Sequence, residues 1–134
     1  MSMYQFNRAI YDLWSSIAVD GQTFPAYLQG TVPEDATFPF VTFDVAKARA
    51  LSTMPLSATV WIKKTNGSGQ NAFRAAFLDA AARAIPQRGV RLDFDGGFCI
   101  LRRSSGDFLT LITDPEDSSV IGGRIGYEAT FYDL

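Results

Sequence analysis

The strict alternation of residues 120–132 constrains the fold of this chain more than any other sequence feature. Odd positions from Ile121 to Phe131 carry apolar or small side chains, whereas Arg124, Glu128 and Thr130 occupy even positions. Successive side chains of a strand point to opposite faces of a sheet. The pattern therefore predicts a long strand that closes the chain, with an apolar face covered by a second layer and a polar face turned to solvent.

Two segments have the spacing of amphipathic helices that would form this second layer. Over residues 4–17, apolar side chains recur every three or four positions, as they do on one face of a helix: Phe6, Ile10, Leu13, Trp14 and Ile17. A second stripe runs over residues 73–84, is rich in alanine and ends near Pro86. The small alanine side chains predict close packing of this helix against a sheet.

Further strands are predicted at residues 40–45, 58–64, 90–94 and from residue 98 onward, because β-branched and aromatic residues alternate there. Residues 26–28 form at most one short strand. We therefore predict the α+β class, as a mainly antiparallel sheet of about five strands with two amphipathic helices packed on one face. The length of 134 residues predicts a single domain, residues 1–134.

The composition excludes several kinds of active site. The chain has no histidine and one cysteine, Cys99, which rules out His-based triads, His metal sites, an internal disulfide and multi-Cys zinc sites. Cys99 lies between Phe98 and Ile100, so we expect a small buried hydrophobe and not a reactive thiol. We expect no enzyme activity, no cofactor and no functional metal.

Two acidic groups are the remaining candidates for chemistry. Asp93 and Asp95 are two residues apart, as in a paired-carboxylate or cation site, but alternation places them on the solvated side of a strand. Asp114, Glu116 and Asp117 offer oxygen ligands to a hard cation. A calcium loop needs a longer alternating pattern with a glycine turn, so we favour a turn that leads into the last strand.

Basic residues give no sign of nucleic-acid binding. Twelve Lys and Arg against 14 Asp and Glu give a net charge of −2, with both signs interspersed. The adjacent pairs Lys63-Lys64 and Arg102-Arg103 lie at the ends of predicted strands, where solvated strand ends explain them. No apolar run approaches the ~20 residues that cross a bilayer, and no signal peptide is expected, so we predict synthesis in a cytoplasm and no membrane contact.

A long connection over residues 46–57 separates two predicted strands. Hairpin loops usually have about two to five residues, so we expect this loop to project and to contact a neighbouring subunit or another protein. Its candidate contact residues are Lys47, Arg49, Leu51, Met54 and Pro55. In the alternative interpretation, Leu51 and Met54 fold back and cover the protein's own sheet.

The order and spacing of the motifs resemble one known family. The string Phe-Pro-Phe-Val-Thr-Phe at residues 38–43 is one carrier of the resemblance. The other is the segment 102–132, in which an Arg-containing strand is followed by Asp-Pro-Glu-Asp at 114–117 and by a last strand ending in Phe131, Tyr132 and Asp133. Over nearly its whole length the chain resembles tail-terminator proteins of long-tailed bacteriophages, also called tail-completion or minor capsid proteins.

The resemblance implies a structural virion protein at the head-tail junction. Proteins of this family form a ring, typically a hexamer, that stops polymerisation of the tail tube and joins tail to head. Expected partners are further copies of the chain, the tail tube protein and a head-completion or connector protein, and DNA passes through the ring without specific binding. The alternatives are another head-tail connector or neck protein, or a small-molecule-binding α+β module with an apolar pocket.

Overall fold

A computed structural model describes residues 3–44, 53–64 and 69–133. In chain order, these residues form the elements α1 (Met3–Ser15), β1 (Ala26–Leu28), β2 (Phe40–Phe43), β3 (Thr53–Lys63), α2 (Gln70–Ala84), β4 (Val90–Phe94), β5 (Gly97–Arg103), β6 (Leu109–Thr113) and β7 (Val120–Asp133). The predicted α+β class is confirmed. The described part of the sheet has seven strands instead of about five, and it is mixed because β1 and β2 are parallel.

The long strand β7 lies at the centre of the sheet. One of its edges pairs with β3 from Val120 to Thr130. Its other edge pairs first with β6, through residues 121–125, and then with β5, through residues 127–133. Strand β2 joins the outer edge of β3, β1 joins β2, and β4 joins β5. The predicted hairpin of β4 and β5 is confirmed, with a turn at Asp95 and Gly96.

Strands β5 and β6 pair with successive parts of the same edge of β7. Residues 104–108 connect them and leave the sheet, and we call this segment the excursion. The backbone of Gly126 spans the gap: its oxygen accepts from the amide of Ser104 at 3.1 Å, and its amide donates to the oxygen of Phe108 at 2.8 Å. A Cβ atom at position 126 would lie 2.9 Å from the carbonyl oxygen of Asp107. A glycine therefore allows the excursion to pass close to β7.

Both helices cover one face of the sheet, as predicted. Helix α1 contacts the odd-numbered side of β7, where the Phe6 and Phe131 rings lie 3.8 Å apart between centroids. Helix α2 contacts the same side of β7. Its Leu78 side chain lies over Gly123 and would be 2.9 Å from a Cβ atom at that position. The alternation of β7 thus decides which face becomes the core.

A polar contact joins two buried side chains of the core. The indole nitrogen of Trp14 donates to the hydroxyl of Tyr127 at 3.2 Å, and both side chains are buried. This bond joins α1 to β7 and satisfies two polar groups that would otherwise be costly to bury. Among the described residues, no helix is long and apolar enough to cross a membrane.

The prediction that the second strand begins at residue 58 was wrong. Strand β3 begins at Thr53 and pairs with β7 through residues 126–130 before β2 joins it at Ala58. The length of β7 explains the difference, because it offers backbone partners to these five additional residues. Strand β6 was also not predicted from the sequence. The short strand at residues 26–28 was predicted, and it is present as β1.

Candidate assembly surfaces

The acidic residues of the hairpin, Asp93 and Asp95, are both exposed to solvent. Asp93 lies on an exposed side of β4 and accepts from the guanidinium of Arg91 at 2.8 Å, while Asp95 is exposed in the turn. Leu92 and Phe94, which alternate with them, pack against the core. The interpretation as the solvated side of the strand is confirmed for Asp93, and Asp95 is solvated in the turn that follows the strand.

The acidic segment 114–117 forms the turn between β6 and β7. The carboxylate of Asp114 accepts from the amide of Glu116 at 2.9 Å. The carboxylate of Asp117 accepts from the amide and hydroxyl of Ser119 at 2.9 and 2.6 Å, and these bonds lower the pKa of Asp117. The predicted turn is confirmed, and no group of three or more His, Cys, Asp or Glu in the described ranges could hold a metal ion.

Cys99 lies in the core of β5 with no exposed surface. Burial raises the pKa of its thiol to about 12, and the nearby charge of Asp93 contributes in the same direction. The thiol therefore stays protonated at neutral pH, and the thiolate is the reactive form. The prediction of a small buried hydrophobe is confirmed.

The two arginines of the Arg102-Arg103 pair have different roles. Arg102 is exposed on the helix-free face, opposite Glu128. Arg103 points to the helix face and donates to the carbonyl oxygens of Ile85 and Ala82 at 2.8 and 2.9 Å. The interpretation of both as solvated strand ends was wrong for Arg103, because the last carbonyls of a helix need donors from outside it.

The structure describes two of the five residues that were predicted to make contacts from a projecting loop. Three of its proposed contact residues lie outside the described residues: Lys47, Arg49 and Leu51. For the other two, a position on a projecting loop was wrong. Met54 lies within β3 opposite Ala129 and packs half-buried against the core, and Pro55 is exposed in the same strand opposite Glu128. Both residues belong to the sheet because β3 pairs with β7 as far as Thr130.

The first candidate assembly surface is the outer edge of β6. Leu109 and Leu111 are 40% and 63% exposed. They pair with Ile125 and Gly123 of β7 and therefore lie on the helix face of the sheet. No described strand pairs with the other edge of β6. Unpaired edges with apolar side chains are templates for pairing with another chain.

The second candidate surface is a groove between α1 and β1, which we call the α1/β1 groove. Its volume is about 320 Å³, and its walls include Tyr4, Tyr11, Leu28 and Phe43. Tyr4 and Tyr11 are 66% and 42% exposed. Arg8 is the one charged residue in the walls of this groove. An exposed aromatic and aliphatic concavity of this kind fits an apolar partner.

These two surfaces lie on opposite sides of the same stretch of β3 and β7. Beside the first half of β7, the strands follow the order β1, β2, β3, β7, β6, because β2 and β6 flank the same stretch of β3 and β7. No described strand pairs with the outer edge of β1. Beside this half of β7 the sheet therefore presents two unlike edges that face in opposite directions, and β4 forms a further edge beside β5.

The helix-free face carries a third, polar and aromatic surface around Trp61. The indole nitrogen of Trp61 donates to the hydroxyl of Thr42 at 3.1 Å. Shallow cavities of about 230 and 350 Å³ lie on its two sides. Phe38 and Phe40, from the motif at 38–43, have ring centroids 5.0 Å apart, and both line the smaller cavity.

Sequence reasoning missed the residues of the first two surfaces. Leu109 and Leu111 alternate with threonine or isoleucine over five residues, which is the signal of a short strand. Tyr4 and Tyr11 are seven residues apart, which places them on one side of a helix and beside the buried stripe. Both signals are present in the sequence, but exposure is a property of the assembled sheet.

In comparisons with known proteins, no family model matches this chain, and no curated protein matches it.

Proposed function

We propose that this protein is a structural virion protein that forms a closed ring at the end of a bacteriophage tail tube. It is a tail terminator, or tail-completion protein, that caps the tube and joins tail to head. The observation that carries the proposal is that two open edges of the sheet, β6 and β1, are unlike and lie on opposite sides of the same stretch of β3 and β7. Contacts between unlike surfaces are head-to-tail, and they generate rings when the rotation closes.

The sequence resemblance supplies the finer parts of the proposal. It gives the number of six subunits, the location at the head-tail junction after synthesis in the bacterial host, and two partners, the tail tube protein and a head-completion or connector protein. The net charge of −2 supports passage of DNA without specific binding, because a chain with no excess of Lys and Arg has little non-specific attraction for phosphates.

The side-chain contacts support a structural role and not an enzymatic one. Asp93, Asp114 and Asp117 make local contacts with Arg91, Glu116 and Ser119, respectively. Cys99 is buried with a raised pKa. Among the described residues, the large apolar side chains that are exposed lie in β6 and α1, and they include Leu109, Leu111, Tyr4 and Tyr11.

Deleting the gene from the phage or prophage that encodes it tests the function. We expect tails longer than those of the parent and detached from heads, because nothing stops the tube or presents a surface to the head. Electron micrographs of the lysate give the tail-length distribution and the fraction of tails joined to heads. Supply of the intact gene in trans, as the control, restores both.

The alternatives give different micrographs. Detached tails of normal length would assign the protein to another connector or neck position. Normal, joined particles would contradict a structural role and favour a small-molecule-binding module.

A further inference from the structure

We infer that neighbouring copies in the ring join by adding β6 of one copy to the outer edge of β1 of the next, with Leu109 and Leu111 seated in the α1/β1 groove. The inference rests on the proposed function only in taking the partner to be a second copy of this chain. It names the two surfaces that meet and makes the sheet continuous from subunit to subunit.

The orientation of the side chains fits this junction. In an extended sheet, residues on one face of a strand stay on that face across the next strand. Leu109 and Leu111 lie on the face that carries the helices, since they pair with odd-numbered residues of β7. The α1/β1 groove opens on that same face, between α1 and the edge strand β1. Pairing of the two edges therefore directs both leucines toward α1.

The chemistry of the two surfaces is complementary. The groove is walled by aromatic and aliphatic side chains, which match two exposed leucines. Its charged wall residue, Arg8, makes an exposed contact of 3.7 Å with Asp12. Strand β6 is preceded by the exposed Asp107 and followed by Asp114. An apolar centre with opposite charges at the rim is the arrangement expected of a protein interface.

A symmetric contact of β6 with β6 fits less well. Antiparallel pairing of β6 with β6 about a two-fold axis would leave the α1/β1 groove uncovered. The head-to-tail junction covers both apolar surfaces, and each end of β6 carries an aspartate of the charge opposite to that of Arg8.

Cysteine cross-linking in assembled particles tests the junction. Leu111→Cys and Tyr11→Cys are combined in one chain that replaces the intact protein in the phage, and particles are treated with a short bismaleimide. We expect a ladder of linked species that ends at the full ring, because every copy supplies both halves of the junction. Each single variant gives no ladder, and a mixture of the two gives dimers only. Cys99 does not need to be replaced in these variants, because its thiol is buried and protonated and does not react with the maleimide.

A matched control pairs Leu111→Cys with Gln87→Cys, an exposed turn residue outside the groove walls, and gives no ladder. Dimers from Leu111→Cys alone would overturn the inference in favour of a symmetric contact. The absence of cross-links in particles that contain a ring would also overturn it and leave the tail-terminator function standing. A ladder from a protein whose deletion leaves tails normal would support the junction and overturn the function.

A charge exchange provides a second test that does not depend on cysteine. Arg8→Glu should reduce the fraction of head-joined tails at least about tenfold, the scale of a 1.4 kcal/mol loss, and Asp107→Lys in the same chain should restore at least part of it. Both residues are exposed, so the folded monomer is retained. An Arg8→Glu variant that joins heads as well as the parent would contradict the charge complementarity.

Discussion

We expect replacement of Phe131 by alanine to lower the free energy of unfolding by about 3–5 kcal/mol. The Phe131 side chain has no exposed surface and contacts Phe6 of α1 edge-to-face, with centroids 3.8 Å apart. Removing it leaves a cavity between α1 and the central strand β7, which cannot collapse without moving the helix. Urea unfolding followed by tryptophan fluorescence measures the effect, since Trp14 lies in the same core.

The neighbouring residue gives a control for this prediction. Tyr132 points to the helix-free face, where it is half-buried and stacked on Phe98 at 4.8 Å. Tyr132→Ala should therefore lose less stability than Phe131→Ala. A loss at position 131 below about 1 kcal/mol, outside the range for truncating a buried Phe, would show that α1 does not pack on β7 as described.

We expect replacement of Arg103 by methionine to lower the free energy of unfolding by about 1.5–3 kcal/mol, the range for hydrogen bonds to a charged group. Arg103 bonds two carbonyl oxygens at the end of α2, and its guanidinium lies 4.5 Å from the centroid of the Phe108 ring. Methionine keeps the apolar stem, so the loss reports the two bonds and the charge. Urea unfolding of the intact and variant proteins gives the difference.

Arg102→Met is the matched control, because Arg102 is the preceding residue, is exposed and points to the other face of β5. It should change stability by less than about 0.5 kcal/mol, as surface substitutions usually do. Equal losses at positions 102 and 103 would contradict the distinct role of Arg103 at the helix end.

The periodicity of the sequence predicted the elements that pack on each other. The helical spacing of Phe6, Ile10 and Trp14 places all three in the core, and the alternation of 120–132 places its odd residues beneath both helices. These predictions succeeded because burial of a whole face leaves a repeated signal. The local turn at Asp95 and Gly96 was predictable for the same reason, as its chemistry is contained in the adjacent residues.

Features that depend on distant partners were not predictable in this way. The start of β3 at Thr53 depends on the edge that β7 offers to it. The parallel pairing of β1 with β2 brings together two segments separated by the loop of residues 29–39. Arg102 and Arg103 are indistinguishable by type, and only the position of the α2 end separates a solvated arginine from one that holds a helix.

The candidate site was less predictable than the core. The sequence directed attention to the connection 46–57, whereas the exposed apolar residues of the described structure lie in β6 and α1. An exposed leucine and a buried one give the same local pattern. What distinguishes Leu111 is that its strand is the last on its side of β7, which is known only when the order of strands is known.

An electron-microscopy reconstruction of the head-tail junction of the phage that encodes this protein tests most directly the claim that the protein forms a ring on the tail tube. We predict one closed ring of this chain, with six copies, at the head end of the tail tube and with DNA passing through its centre. An isolated copy bound elsewhere on the particle, or copies stacked as a repeat along the tube, would contradict the account.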